Sequence, residues 1–437
     1  MIKKIFFILL VFIFNSNCSF DTRSGIWTDN QKIEKTASKK DKIKILFKED
    51  KINYKEFKKN YLIKVPLDVN LNKNSLITNN PGSKFIIDNF SKKSKYNFSK
   101  IKYFNYFNQD LIFTSEKDLI FFDKKGSIIK FDDKSKVIWK KNYYSKKEKK
   151  QLPILNFSSN NNVLIVTDNI AKYYAININT GELLWSKSHN SIFISEIKID
   201  KDRFYVIDSN NDLNCFSLIN GEKIWQFQTD FDLIKSQKKL SIVYDNSKIY
   251  FNNSRGDIYS LDKENGHLIW ITPTRKDIES FKSFLLKTSK LVLDKNELFF
   301  SNNKNLFFSI DINTGLINWT QNINSDLEPV IVENKIFSIS SDGHFFIIEK
   351  SSGNIIRITD LFKNIKSRKI ENISISGFVV GSKKIYLSLD NGKIFQIDIA
   401  SGTVSSTFKV TRGKISKPYI NNGKMFVVKN DAIIKLN

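Results

Sequence analysis

The sequence predicts an all-β protein, an eight-bladed β-propeller of four-stranded antiparallel blades. Three observations carry that prediction. Five tryptophans, Trp139, Trp185, Trp225, Trp270 and Trp319, recur about every 45 residues, and Gly181, Gly221, Gly266 and Gly315 each precede one by four places. Each copy also carries short apolar runs punctuated by Asn-Gly, Asp-Gly or Thr-Gly corners, which are hairpin signals. Finally, no copy shows a sustained 3.6-residue apolar period, which disfavours a helical solenoid.

Read from its start, the chain opens like an export signal. Lys3 and Lys4 give a positive start, and residues 5–14 are an unbroken apolar run, too short to span a bilayer. Cys18 follows closely, as in the lipobox of bacterial lipoproteins, although Asn15 and Asn17 stand where Leu and a small residue are usual. Residues 1–18 are therefore expected to be a lipoprotein signal with Cys18 as the lipid-attachment site. Ser19 after that Cys resembles lipoproteins sent to the outer membrane. No later segment approaches transmembrane length, so the mature chain is expected to be lipid-anchored, not spanning. Residues 19–41 are polar and read as a flexible tether. Residues 42–95 read as an N-terminal extension packing before the first blade.

From residue 96 onward the repeat takes over. Motifs such as YAIN at 174–177, YSLD at 259–262 and FSID at 308–311 begin seven places before their glycine. A tight turn and a short run ending in Trp follow, which makes a hairpin. Asn391-Gly392 and Asp342-Gly343 mark a second hairpin upstream in their copies. Ser135 takes the glycine place before Trp139. Gly353 with Arg357, and Gly402 with Ser406, are copies that have lost the Trp. A Trp in the outermost strand can lie flat over the next blade's turn, burying on the order of 200 Å², and Gly leaves room for it. These Trp and Gly residues are therefore expected to lock blades together, not to do chemistry. The last strands lack an outermost partner, and the stretch around residues 96–107 is expected to supply it. Closure of the ring removes exposed edges.

Composition narrows the function classes. Lys and Arg number 70 against 45 Asp and Glu, a net charge of +25, but no nucleic-acid motif accompanies them, and a Lys-rich solvated surface is the reading. With only Cys18 and Cys215, there is no disulfide framework and no Cys-rich metal site. Cys215, in an alternating run, reads as a small core residue. His189, His267 and His344 have no metal-ligand spacing. No catalytic residue, cofactor, metal or small-molecule substrate is expected.

The periodic NTGELLW type of repeat at 179–185 resembles the pyrroloquinoline-quinone propeller repeat. With the lipoprotein-like start, the length and NGKIFQID at 391–398, the chain resembles the BamB family of outer-membrane assembly lipoproteins. The resemblance implies a non-catalytic scaffold on the periplasmic face of the outer membrane. Such a scaffold binds the POTRA domains of BamA, with the other subunits of that complex, and helps outer-membrane proteins fold and insert. It places the contact surface on loops of the middle blades, here 230–239 and 272–282. The candidate partner residues are Phe231, Leu233, Ile234 and Lys235 in the first loop and Arg275, Asp277 and Glu279 in the second. Two other readings stand beside it: a cell-wall or carbohydrate-binding propeller, and a quinone-dependent dehydrogenase. The single Cys after the signal forbids the adjacent-Cys disulfide often found in the latter.

Overall fold

The computed structural model describes residues 18–20, 27–29, 54–58, 60–63, 84–85, 92–101, 110–114, 116–160, 162–230, 236, 238–274, 286–365, 370, 373–381 and 383–436. The chain divides into two compact units, residues 1–49 and 50–437. In the first, Cys18–Phe20 pairs antiparallel with Trp27–Asp29. Residues 1–17 and the rest of the segment read as a tether lie outside the described residues.

The second unit is the propeller. Its eight sheets are each built of four antiparallel strands, and one of them carries an added fifth. Blade four shows the plan: Ile242–Tyr244, Lys248–Asn252, Ile258–Asp262 and Leu268–Thr272, joined in order from the inside out. The middle strands are buried on both faces, while the outermost strand alternates exposed and covered residues. This is why the two central runs of each copy are nearly continuous in Val, Ile, Phe and Tyr. Apolar side chains of adjacent blades mesh between the sheets, as where Tyr250 and Trp270 of blade four meet Leu298 and Phe308 of blade five.

The ring closes between its two ends. Blade eight consists of Tyr419–Asn421, Lys424–Lys429 and Ala432–Leu436, with Lys92–Asn97 paired on the outside of the last. The closing strand thus lies slightly upstream of the expected stretch and shares only Tyr96 and Asn97 with it. At this seam Ser94 holds the repeat's Trp place, opposite Lys435, and Tyr96 packs edge-on to Phe131 with ring centroids 5.5 Å apart. Asp133, in the first blade's outer turn, takes Lys435 at 2.8 Å and Lys424 at 3.1 Å. Those bonds hold its carboxyl below the usual carboxylate range.

Every outer hairpin carries the same irregularity. The register shifts one place beyond the residue opposite the Trp, as at Ala175/Ile176, Cys215/Phe216, Ser260/Leu261 and Ser309/Ile310. The residues facing Trp185, Trp225, Trp270 and Trp319 are Ala175, Cys215, Ser260 and Ser309. Small side chains stand there in these four blades, whereas Lys130 faces Trp139 at the same shift in the first. Cys215 is one of these small residues, and burial pushes its thiol up to about 12.

Each indole lies against the glycine of the following blade: Trp139 on Gly181, Trp185 on Gly221, Trp225 on Gly266, Trp270 on Gly315 and Trp319 on Gly353. A Cβ on Gly221 would stand 2.6 Å from the Trp185 ring, and its φ of +71° belongs to the left-handed region. Trp185, Trp270 and Trp319 also donate their indole N–H to the carbonyls of Leu218, Ile312 and Lys350, each at 3.0 Å.

Blade six has Arg357 where the others have Trp, and the arginine reproduces the contact. Its guanidinium lies on Gly402, and Nη2 donates to the Ile399 carbonyl at 3.0 Å, three places before that glycine, as the indoles do. Its remaining Nη1 donors reach the carbonyls of Ala400 and of Tyr61, the latter at 3.0 Å. Tyr61 belongs to the N-terminal extension, whose described residues 54–58 and 60–63 run along the outside of blade six. Phe57 exchanges two 3.1 Å backbone hydrogen bonds with Ile358, and the Ile63 amide donates to Ala400 at 3.2 Å. Further along the extension, Lys84–Phe85 adds in parallel to the inner edge of blade seven.

Candidate partner-binding face

The seven loop residues singled out in the sequence, Phe231, Leu233, Ile234, Lys235, Arg275, Asp277 and Glu279, lie outside the described residues. The stems of both loops are described, and they meet at one place. The first loop leaves blade three at Thr229, whose amide donates to Asp212 at 3.1 Å and whose hydroxyl donates to the Asn211 carbonyl at 3.2 Å. It arrives at Ser236, whose amide donates to Ser254 Oγ at 3.0 Å in the middle hairpin corner of blade four. The second loop leaves blade four at Thr274, which donates to the Gly256 carbonyl at 2.8 Å in that same corner. Leu286, on the returning stem, is buried and packs against Gly256, whose φ is +89°. Ser254 is tied back to Asn211 of blade three at 2.9 Å. Both loops are therefore anchored on the corners of adjacent blades, on one face of the ring. Short polar side chains bonded to turn backbone build this platform, as such residues commonly do.

Beside the stems, charged side chains converge on the propeller axis. Asp110, Glu196, Lys290, Glu328 and Lys417 each stand two residues before the innermost strand of a blade, and Lys198 opens one. Glu196 accepts from Ser241 Oγ at 2.8 Å and the Ile242 amide at 2.9 Å, and pairs with Lys290 at 3.1 Å and Lys198 at 3.9 Å. Lys239 pairs with Asp110 at 3.9 Å, Lys417 with Glu328 at 3.4 Å and Lys238 with Asp326 at 2.8 Å. Although burial opposes it, the surrounding lysines, Lys290 first, hold the Asp110 carboxyl well below the carboxylate range. Burial pulls Lys239 down to about 8 against the pull of Asp110. Lys290 stays well above its ordinary value despite burial, because Asp110, Glu196 and Glu328 surround it. Composition had read the lysines as surface solvation only. The signal that reveals this ring is positional, a charge two places before the inner run in five of the eight blades.

The histidines stay apart. His189 pairs with Asp208 at 3.0 Å in blade three, and His344 with Asp342 at 3.1 Å in blade six, while His267 is exposed on the outer turn of blade four. Among the described residues no three His, Cys, Asp or Glu are grouped to hold a metal ion, and no helix is long and apolar enough to cross a membrane.

A sequence profile of the family described as outer membrane protein assembly factor BamB matches residues 124–359. No curated protein sequence matches the chain. Among solved structures, BamB from Moraxella catarrhalis superposes with a TM-score of 0.66 at 14% identity, over 80% of this chain and 99% of that one. A europium-containing methanol dehydrogenase superposes with a TM-score of 0.60 at 10% identity, over 79% and 87% of the two chains. The computationally designed Ika8 protein gives 0.58 at 11% identity, over 82% and 99%. Identities this low establish the shared propeller and nothing finer.

Proposed function

The chain belongs to the outer membrane protein assembly factor BamB family, and from that premise we propose that it is a non-catalytic scaffold of the outer-membrane β-barrel assembly machinery. It binds the POTRA domains of BamA through the loops at 231–235 and 275–279 and assists folding and insertion of outer-membrane proteins. It sits at the periplasmic face of the outer membrane, held by acyl chains on Cys18. The observation that carries the reading is the shared platform of the two loop stems, Thr229, Ser236 and Thr274, on the corners of blades three and four. The anchored stems fix where on the ring the two loops emerge, and loops on a rigid scaffold are where recognition residues concentrate. The first loop offers Phe231, Leu233 and Ile234 beside Lys235, and the second offers Arg275, Asp277 and Glu279, a mixed apolar and charged set.

Against a dehydrogenase reading stands the single Cys after Cys18, Cys215, which leaves no partner for the adjacent-Cys disulfide often found in those propellers. The test is isolation of the full-length protein from native outer membranes in mild detergent. BamA should co-purify in comparable amount. Recovery of the protein without BamA, or quinone-dependent dye reduction by the isolate, would count against the scaffold.

A further inference from the structure

We propose that the trough between the N-terminal extension and blade seven is a binding site for an extended, uncharged polypeptide segment, which adds as a strand to the outer edge of blade seven. The trough has a volume of about 1100 Å³. Glu56 and Asn60 of the extension, with Thr359, Asp360 and Lys363 at the end of blade six, form one wall, and Val404 to Thr407, from the outermost strand of blade seven, forms the other. Phe395 and Leu389 contribute apolar floor, and Thr403, Ser405, Ser406 and Thr407 a hydroxyl-bearing flank.

The neighbouring blade shows what such an edge accepts. On blade six, Ile358 faces outward and exchanges both backbone hydrogen bonds with Phe57 of the extension. Ile358 lies five places after Gly353 and opposite Phe346, which lies seven places before it. Thr407 lies five places after Gly402 and opposite Phe395, seven before. The register is the same, so the Thr407 amide and carbonyl also face outward. Among the described residues no strand pairs with that edge. An unpaired edge beside a trough with its own extended wall has the geometry of strand addition: the main chain supplies affinity, and the floor reads alternate side chains.

The chemistry of the lining limits the occupant. Lys363 and Lys393 are balanced by Glu56 and Asp360, so the trough offers no net field to a charged segment. Apolar floor and hydroxyl flank together suit alternating aliphatic and hydroxylic residues.

The test uses the full-length protein with a photoreactive phenylalanine at Ser405, or at Leu184 as control. Leu184 holds the same place after its glycine, on the exposed outer strand of blade two. The probe is an acetylated Thr-Val repeat of eight residues. The proposal expects labelling from position 405 about tenfold above that from position 184, and an approximately equal drop when alternate residues of the peptide are N-methylated. It is overturned by equal labelling at the two positions, by labelling that survives N-methylation, or by none at millimolar peptide. Displacement of the peptide by an N-acetylglucosamine oligomer would also overturn it, making the trough a glycan site.

Discussion

Trp270 shows how one residue type fixes the joint between blades. Its ring covers Gly315, its N–H is satisfied by Ile312, and it is almost wholly buried. Trp270→Ala should lower unfolding free energy by roughly 3–5 kcal/mol, as buried aromatic truncations do, measured by denaturant unfolding. Trp27→Ala, in the segment read as a tether, should leave the midpoint unchanged. Arg357 separates two roles that the indoles do not combine. Arg357→Trp should keep the stack on Gly402 but release Tyr61, so hydrogen exchange at Phe57 and Ile63 should quicken with little change in global stability. Arg357→Ala should lose both. His344 adds a pH dependence. Burial works to lower its pKa, but Asp342 first, then Asp360 and Glu56, raise it above the ordinary value, and the Tyr54 ring lies 5.2 Å away. A folded-state pKa above the unfolded one stabilises below about pH 6.5 and ceases to do so as pH rises through the folded value. The melting temperature of the parent over His344→Gln should therefore shrink as pH rises from about 5.5 to 8.

At the scale of elements, the repeat was legible because its punctuation is chemical. Glycine marks six of the outer turns, Trp five of the outer strands, and Asp-Gly or Asn-Gly the inner corners of blades six and seven; the eighth blade follows from the strands left over at the end. Two things were hidden. The closing strand Lys92–Asn97 carries Lys, Ser and Asn in place of the repeat's apolar run, because it borrows its register from Ala432–Leu436, far away in sequence. The strand addition of Phe57 to blade six involves too few residues to leave a period. Arg357 was visible only as a lost Trp, since a guanidinium replaces an indole through planarity and donor geometry, not through hydrophobicity. If Tyr96 closes the ring as these contacts imply, Tyr96→Ala should destabilise by about 2–4 kcal/mol. It should also speed exchange in Ala432–Leu436 before other blades, measured by hydrogen-exchange mass spectrometry.

For the molecule as a whole, closure makes the fold a rigid ring on which two loops share one corner. The ring of charges beside them was hidden from composition, because lysines spread evenly through a sequence give no hint that several converge on an axis; only their place before the inner strands marks them. The candidate residues came from family resemblance, and the structure adds where their stems are held. The lipid anchor has its own check: mass spectrometry of the mature protein should find an acylated Cys18 as its first residue, and a free, unmodified start elsewhere would contradict it. The central claim is recognition by that loop pair. Its most direct measurement is a titration of the purified POTRA domains of BamA against the parent, a Leu233→Ala/Ile234→Ala variant and an Asn313→Lys variant, the last in an outer turn at the opposite ends of the strands. The account predicts a loss of about thirtyfold or more for the double variant, the scale of a hot spot of about 2 kcal/mol, and parental affinity for Asn313→Lys. Parental affinity for the double variant with a loss for Asn313→Lys would contradict it.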